Sequence, residues 1–301
     1  MSSTRPDPGQ TPALSDSERR RRELELRLRA ALTHPIEETA EDDSAPGDVL
    51  DLDNPRNAPP SIWDRLPRIP VDPARMEKNL VITASRHDPA HAAFDVLRTR
   101  VVQAMKDRGW TRVGITSPTA GNGKSFTAIN LAISLSRLTD IRCALIDLDL
   151  RHPGLAKVLG LRDMPATADF LQGQISAEDY LSTFAPNMLN IGEHLALGVN
   201  GKPFAYAAEL LHAPETGERL TALQETLSAD LMLFDLPPAL ALDDVLAFRP
   251  YLDCVLLVVA GGDTRARDVR EVQRRFGDDL PILGVVMNKA EMDDMPGYGY
   301  D

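Results

Sequence analysis

Residues 111–125 read TRVGITSPTAGNGKS, and the fold turns on them. Val113, Gly114, Ile115 and Thr116 make a short apolar run of the kind that forms a buried strand. The run breaks at Ser117-Pro118 and passes through Gly121 and Gly123. Ala128, Leu131, Ala132 and Leu135 then fall at i, i+3, i+4 and i+7, the spacing of one helix face. Strand, glycine-containing turn, Lys-Ser and helix in this order predict a cradle for phosphate. The two glycines let the backbone take conformations that a Cβ forbids, so successive N–H groups can converge on one anion. The helix start adds unpaired N–H groups and the positive end of its dipole. Lys124 is placed to reach β- and γ-phosphates, and the Ser125 hydroxyl to ligate Mg²⁺. The strict pattern has a glycine six residues before the lysine, and Pro118 stands there.

Working outward, 301 residues exceed the usual size of one domain, so the chain holds one large domain with extensions, or two domains. A hydrophobic share of 43% is enough for a sizeable core. A net charge of −12 argues against broad nucleic-acid binding, which needs a basic surface. Cys143 and Cys254 both lie in apolar runs and read as small buried hydrophobes in a reducing compartment, not as a disulfide or metal pair. No apolar run approaches the roughly 20 residues that cross a bilayer, and the N-terminus lacks the apolar stretch of a signal peptide. The expectation is a cytoplasmic chain without a membrane span.

Residues 1–75 differ from the rest. They carry about half of the 23 prolines, many acids and few aromatics, a composition that does not offset ordering entropy. They are expected to form a largely disordered extension with one charged helix near 16–32 (SERRRRELELRLRAAL over 17–32). Within it, 57–70 is expected to lie along the domain surface, anchored by Ile62, Trp63 and Leu66. The globular domain is expected over 76–292, and 293–301 (DDMPGYGYD) as a mobile tail.

Along the domain, 88–105 shows an apolar stripe of Ala93, Phe94, Leu97, Val101 and Ala104 at helical spacing. Continuous apolar runs at 143–147 (CALID), 231–235 (LMLFD), 254–260 (CVLLVVA) and 282–287 (ILGVVM) alternate with helical segments. Helices are expected at 168–172, 177–184, 207–211, 216–227 and 265–276, and a further strand at 188–191. Such alternation predicts an α/β fold whose mostly parallel sheet is covered by helices on both faces.

In such a sheet, ligands bind where the strands end at their carboxyl edge. Asp147, Asp149 and Asp235 all follow apolar runs, as the phosphate loop does. One Asp after a strand ordinarily caps a turn. Three of them beside Gly-Lys-Ser match what MgATP needs, since magnesium prefers oxygen ligands and keeps most of its waters. Asp235 fits a carboxylate that binds the metal through water. Of Asp147 and Asp149, one is expected to help hold the metal and the other to take a proton from an incoming hydroxyl. Asn288, after the last strand, is a candidate to face the nucleotide base. His152 reads as a turn residue, and Arg151, Arg265 and Arg267 as solvated arginines.

The succession SPTAGNGKSFTAINLA, ALIDLDLRHPGL, LMLFDLPPAL, LDCVLLVVAGGDT and LGVVMNKAE, with GYGY near the end, resembles the bacterial tyrosine kinases (BY-kinases) over about 85–301. These are capsule and exopolysaccharide autokinases built on a P-loop NTPase fold of the deviant-Walker, MinD-like type. The resemblance implies a Walker A loop over Ala120, Gly121, Asn122, Gly123, Lys124 and Ser125, with Phe126 following. It implies a second Walker-type motif around Asp147 and Asp149, and a Walker B carboxylate at Asp235. It further implies ATP and Mg²⁺ as cofactors and trans-autophosphorylation of tail tyrosines within a ring of subunits. A transmembrane polysaccharide chain-length regulator is implied as activator, which would recruit the kinase to the inner face of the membrane.

Two features depart from that family. At its oligomerising Glu-x-x-Arg-x-x-Arg, this chain has Ala92, Asp95 and Arg98. The tail offers only Tyr298 and Tyr300 as phosphoacceptors. An ATP-binding switch of a polysaccharide machine, without kinase activity, is the competing reading. A ParA/MinD-like ATPase is a third. MinD and ParA relatives carry an early loop lysine where Thr119 stands, and iron–sulfur carriers of this fold need a Cys-x-x-Cys that is absent.

Overall fold

The computed structural model describes residues 61–81, 89–189 and 191–290. Six strands form one sheet: β2 (Arg112–Thr116), β3 (Cys143–Asp147), β5 (Leu195–Gly198), β6 (Leu231–Asp235), β7 (Cys254–Ala260) and β8 (Ile282–Asn288). Their order is β5-β3-β6-β2-β7-β8 and every pairing is parallel. Alternate residues of each strand face opposite sides. Ala144, Ile146, Met232, Phe234, Val255 and Leu257 enter one core. Cys143, Leu145, Leu231, Leu233, Cys254 and Leu256 enter the other. Both faces are therefore apolar, which is why these strands read as unbroken hydrophobic runs. Both cysteines are free and buried, as their settings predict.

One face is covered by α3 (Pro89–Arg108), α4 (Lys124–Leu135) and α5 (Leu155–Leu159). The other is covered by α6 (Thr167–Leu171), α7 (Ala177–Tyr180), α8 (Ala207–His212), α9 (Pro214–Leu227), α10 (Asp244–Phe248) and α11 (Ala266–Phe276). On α3 the core side is Phe94, Leu97, Val101 and Met105, so Phe94, Leu97 and Val101 face the core as the stripe predicts, while Ala93 is exposed. Asp95 and Arg98 are used inside the chain. Arg98 bonds Asp95 at 2.9 Å and donates to the Ser134 carbonyl at 3.2 Å, while the Ser134 hydroxyl donates to Asp95 at 3.0 Å.

The described residues pack into the domain from Ile62 onward, ahead of the start expected at 76. Ser61 and Asp64 cap α1 (Ile62–Arg65), whose Ile62 and Leu66 are buried in the first core. The Trp63 indole donates to the Leu227 carbonyl at 2.9 Å. Next, β1 (Arg68–Ile69) pairs with β4 (Thr183–Phe184), and Asp72 caps α2 (Pro73–Lys78). The three anchors act as expected. The boundary moved because their burial offsets the ordering cost that the proline-rich composition suggested would prevail. The charged helix expected near 16–32 and the segment 293–301, with Tyr298 and Tyr300, lie outside the described residues.

Two local readings need correction. Residues 188, 189 and 191, the described part of 188–191, form no strand. Asn187 organises a turn there, accepting from the Leu189 and Ile191 amides and donating to the Ala185 and Ile191 carbonyls, while Met188 is 95% exposed. The strand is β5, further on. The helix expected over 177–184 stops at Tyr180, because Thr183 and Phe184 pair with Arg68 and Ile69.

Candidate active site

Parallel register carries the site residues to one edge of the sheet. Asp147 and Asp235 end adjacent strands directly opposite each other, and Ile115 of β2 pairs with Asp235. The loop leaving β2 is anchored on both sides. The Thr116 hydroxyl donates to the Pro237 carbonyl at 2.6 Å, and the Ala239 amide to the Ser117 carbonyl at 2.8 Å. The Asn122 amide group donates to Thr264 at 3.1 Å, and the Asn122 carbonyl accepts from Asn288 at 2.9 Å. Gly121 and Gly123 have φ of 84° and 91°, where a Cβ is strained. At Gly123 a Cβ would also strike the Asn288 side chain. Asn288 thus braces the loop backbone.

Lys124 reaches back from the first turn of α4 to Asp149 at 2.7 Å, with Asp235 at 3.8 Å. The carboxylates have different settings. Asp147 accepts from the amides of Asp149 (3.2 Å), Gly154 (3.2 Å) and Leu155 (3.1 Å), which fastens the loop after β3 and the start of α5. Both its oxygens accept from backbone amides, which fixes the orientation of this carboxylate at the strand end. Asp149 accepts from the His152 amide at 3.0 Å and turns its other oxygen to Lys124. Asp235 is fully buried, and neither of its oxygens has a well-formed hydrogen bond among the described residues. The Ser125 hydroxyl lies beside it, and a Cβ on Gly154 would overlap that hydroxyl while lying 3.7 Å from Asp235.

Burial, with Lys124 in part opposing it, pushes the Asp235 carboxyl up to about 6. Burial and the nearby Asp235 also raise Asp147 well above the usual carboxylate range, against the Leu155 amide and Lys124. Burial alone would lower Lys124, but Asp235, Asp149 and Asp147 together raise it. Three carboxylates around one ammonium leave a buried negative excess that a divalent cation would relieve. Among the described residues no three His, Cys, Asp or Glu converge as a metal site. The fit is instead to an ion held by one hydroxyl and one carboxylate, completed by water and phosphate oxygens. Ser125 and the orphaned oxygens of Asp235 offer that set.

The Phe126 ring packs edge-on against Phe94 at 6.0 Å, and its Cδ1 lies where a Cβ on Gly123 would meet it at 3.9 Å. His152 is an exposed turn residue. Arg151 is no solvated arginine: it makes a two-pronged contact with buried Asp244 at 2.8 and 3.0 Å and donates to the Ala205 carbonyl. The sequence reading missed Asp244, Thr264 and Gly154. Only Gly154, in the His-Pro-Gly turn after the aspartates, had a local signal.

A glycine-shaped loop between a central parallel strand and a helix, with its lysine facing strand-end carboxylates, defines a P-loop nucleotide-binding domain. Residues 113–299 match the CobQ/CobB/MinD/ParA nucleotide-binding domain, and the chain belongs to that family. Within it, the chain is similar to the tyrosine-protein kinase YwqD of Bacillus subtilis (28% identity, covering 75% of this chain and 92% of that one). It is also similar to the putative tyrosine-protein kinase EpsB of Ralstonia solanacearum (32% identity), where the match covers 71% of this chain and 27% of that one. It spans nearly all of the former and about a quarter of the latter. The crystal structure of the VpsO kinase domain superposes with a TM-score of 0.58 at 28% identity, covering 71% of this chain and 98% of that one. The kinase domain of Escherichia coli ETK (TM-score 0.63, 22% identity, 73% and 84% covered) shares the fold. Among the described residues no helix is long and apolar enough to cross a membrane.

Proposed function

We propose that this chain is an ATP-dependent protein-tyrosine autokinase that regulates exopolysaccharide or capsule biosynthesis and export. The observation that supports it most is the Lys124 ammonium, held between Asp149 and Asp235 at the mouth of the phosphate loop. The amides of residues 120–126 cradle the phosphates of ATP. Ser125 and Asp235 would hold Mg²⁺, which would supply neutralisation of the phosphate charge. Lys124 exchanges its carboxylate partners for phosphate oxygens, which frees Asp149. A tyrosine hydroxyl, with an unperturbed pKa near 10, needs a base at neutral pH. Asp149 takes its proton, the phenolic oxygen bonds to the γ-phosphorus, and the bond from that phosphorus to the bridging oxygen breaks, releasing ADP. Tyr298 and Tyr300 are the acceptors, offered by a neighbouring copy. A transmembrane chain-length regulator recruits the cytoplasmic kinase to the membrane and activates it.

Purified protein incubated with MgATP gains phosphate on Tyr298 or Tyr300 by mass spectrometry, and Lys124→Met abolishes the gain. Absence of phosphotyrosine even with the membrane partner present would reject the kinase role. One observation favours the nucleotide switch instead: Asp95 and Arg98, at the family's ring-contact positions, are engaged within the chain. Replacing both tyrosines with Phe separates the two readings, because unchanged polymer output points to the switch.

A further inference from the structure

The outward face of α11 carries Arg267, Arg270 and Arg274 at i, i+3 and i+7, one ridge of a helix. Val272 and Phe276 on the opposite face are buried in the core. Arg267 and Arg274 have side chains 68% and 73% exposed. Their acidic neighbours are Asp268, 3.5 Å from Arg267, and Glu271, which pairs with Arg274 at 2.6 Å. Arg270 is exposed and has no hydrogen bond or ion pair among the described residues. In a chain of net charge −12 this is a concentrated basic stripe.

The chain leaves β8 close to the root of this helix. The Gly261 amide donates to the Asn288 carbonyl at 2.8 Å, and a Cβ on Gly261 would meet the Ala290 Cα at 3.1 Å. Gly261 opens the turn that leads into α11. The residues after Ala290 begin Glu291-Met292-Asp293-Asp294, with no basic residue before 301. At 1.5 Å rise per residue, Arg267 to Arg274 spans about 10 Å. Extended chain from residue 291 to 294 spans about 10 Å as well.

We propose that the arginine ridge of α11 is a docking surface for the acidic segment Glu291–Asp294 of the same chain. The charges are complementary, the lengths agree, and the segment starts beside the turn that begins the helix. Docking fixes the direction in which the chain leaves the sheet edge, and with it the origin from which Tyr298 and Tyr300 reach out. An anionic membrane is a poorer occupant, since the ridge has no bulky apolar residue to insert. The inference does not depend on kinase activity, and a chain that never phosphorylates itself would show the same docking.

A nitroxide attached at Met295→Cys in the full chain tests this, because both native cysteines are buried. Amide signals of residues 266–274 broaden at low salt. They recover near 1 M NaCl, where the screening length falls to about 3 Å. Arg267→Glu/Arg270→Glu/Arg274→Glu removes the broadening, and adding Asp293→Arg/Asp294→Arg restores it. Unbroadened α11 signals in the unsubstituted helix would overturn the proposal, as would broadening that survives the triple charge reversal. So would broadening carried over to unlabelled molecules mixed with labelled ones, which would place the contact between copies. Ridge-dependent binding to vesicles of phosphatidylglycerol without tail broadening would assign the ridge to the membrane instead.

Discussion

Replacing Asp235 with Asn exposes the conflict between stability and ligand binding at the loop. Asp235 is fully buried, and its carboxyl is raised from 3.8 to about 6. The fold therefore disfavours the charged form, and the native state holds its proton at pH values where the unfolded chain has lost it. Stability from this group falls as pH rises from 3.8 through about 6, and the penalty is complete above that. At 1.36 kcal/mol per pKa unit, the penalty is about 3 kcal/mol. Asn is neutral at every pH and nearly isosteric. Asp235→Asn should therefore stabilise the nucleotide-free protein at pH 8, and Lys124 keeps Asp149 as its partner at 2.7 Å. If half of the penalty is recovered, the midpoint rises by about 5 °C, at roughly 2–4 °C per kcal/mol for a unit of this size. At pH 5 the gain shrinks. Thermal denaturation followed by circular dichroism at both pH values, with and without MgADP, measures it. The same variant should lose most of the stabilisation that MgADP confers. An Asn variant less stable than the parent at pH 8 would refute the buried-charge argument, and one that keeps the full MgADP shift would refute the metal assignment.

Three further outcomes follow from the same geometry. Gly154→Ala pushes a methyl into the Ser125 hydroxyl, so it should cost about 1–3 kcal/mol of stability. It should also weaken magnesium-nucleotide binding by about tenfold, or 1.4 kcal/mol, by calorimetry, with magnesium-free nucleotide less affected. Because a proton competes with the metal for Asp235, magnesium-dependent affinity should fall as pH drops through about 6, read by titration calorimetry across that range. Leu66→Ala, at a site 2% exposed in the core, should cost about 2–5 kcal/mol in urea denaturation, against almost nothing if residues 61–66 lay outside the folded unit.

What the sequence determined by itself was whatever depends on neighbours along the chain. The unbroken runs CALID, LMLFD and CVLLVVA became strands with those bounds, because burial on both faces leaves no polar alternation. Gly121, Gly123, Lys124 and Ser125 named the phosphate loop, because its mechanism lies in consecutive residues. Tertiary structure decided what depends on partners far away in sequence. Ile62, Trp63 and Leu66 order a proline-rich segment only because the first core and the Leu227 carbonyl receive them. Thr183 and Phe184 leave a helical pattern because Arg68 and Ile69 offer a strand. Three similar aspartates take different settings for the same reason. Backbone amides surround Asp147, a lysine faces Asp149, and Asp235 is fully buried with that lysine only at 3.8 Å. A carboxylate's chemistry is set by the dipoles and charges a few ångströms away, and the fold supplies these.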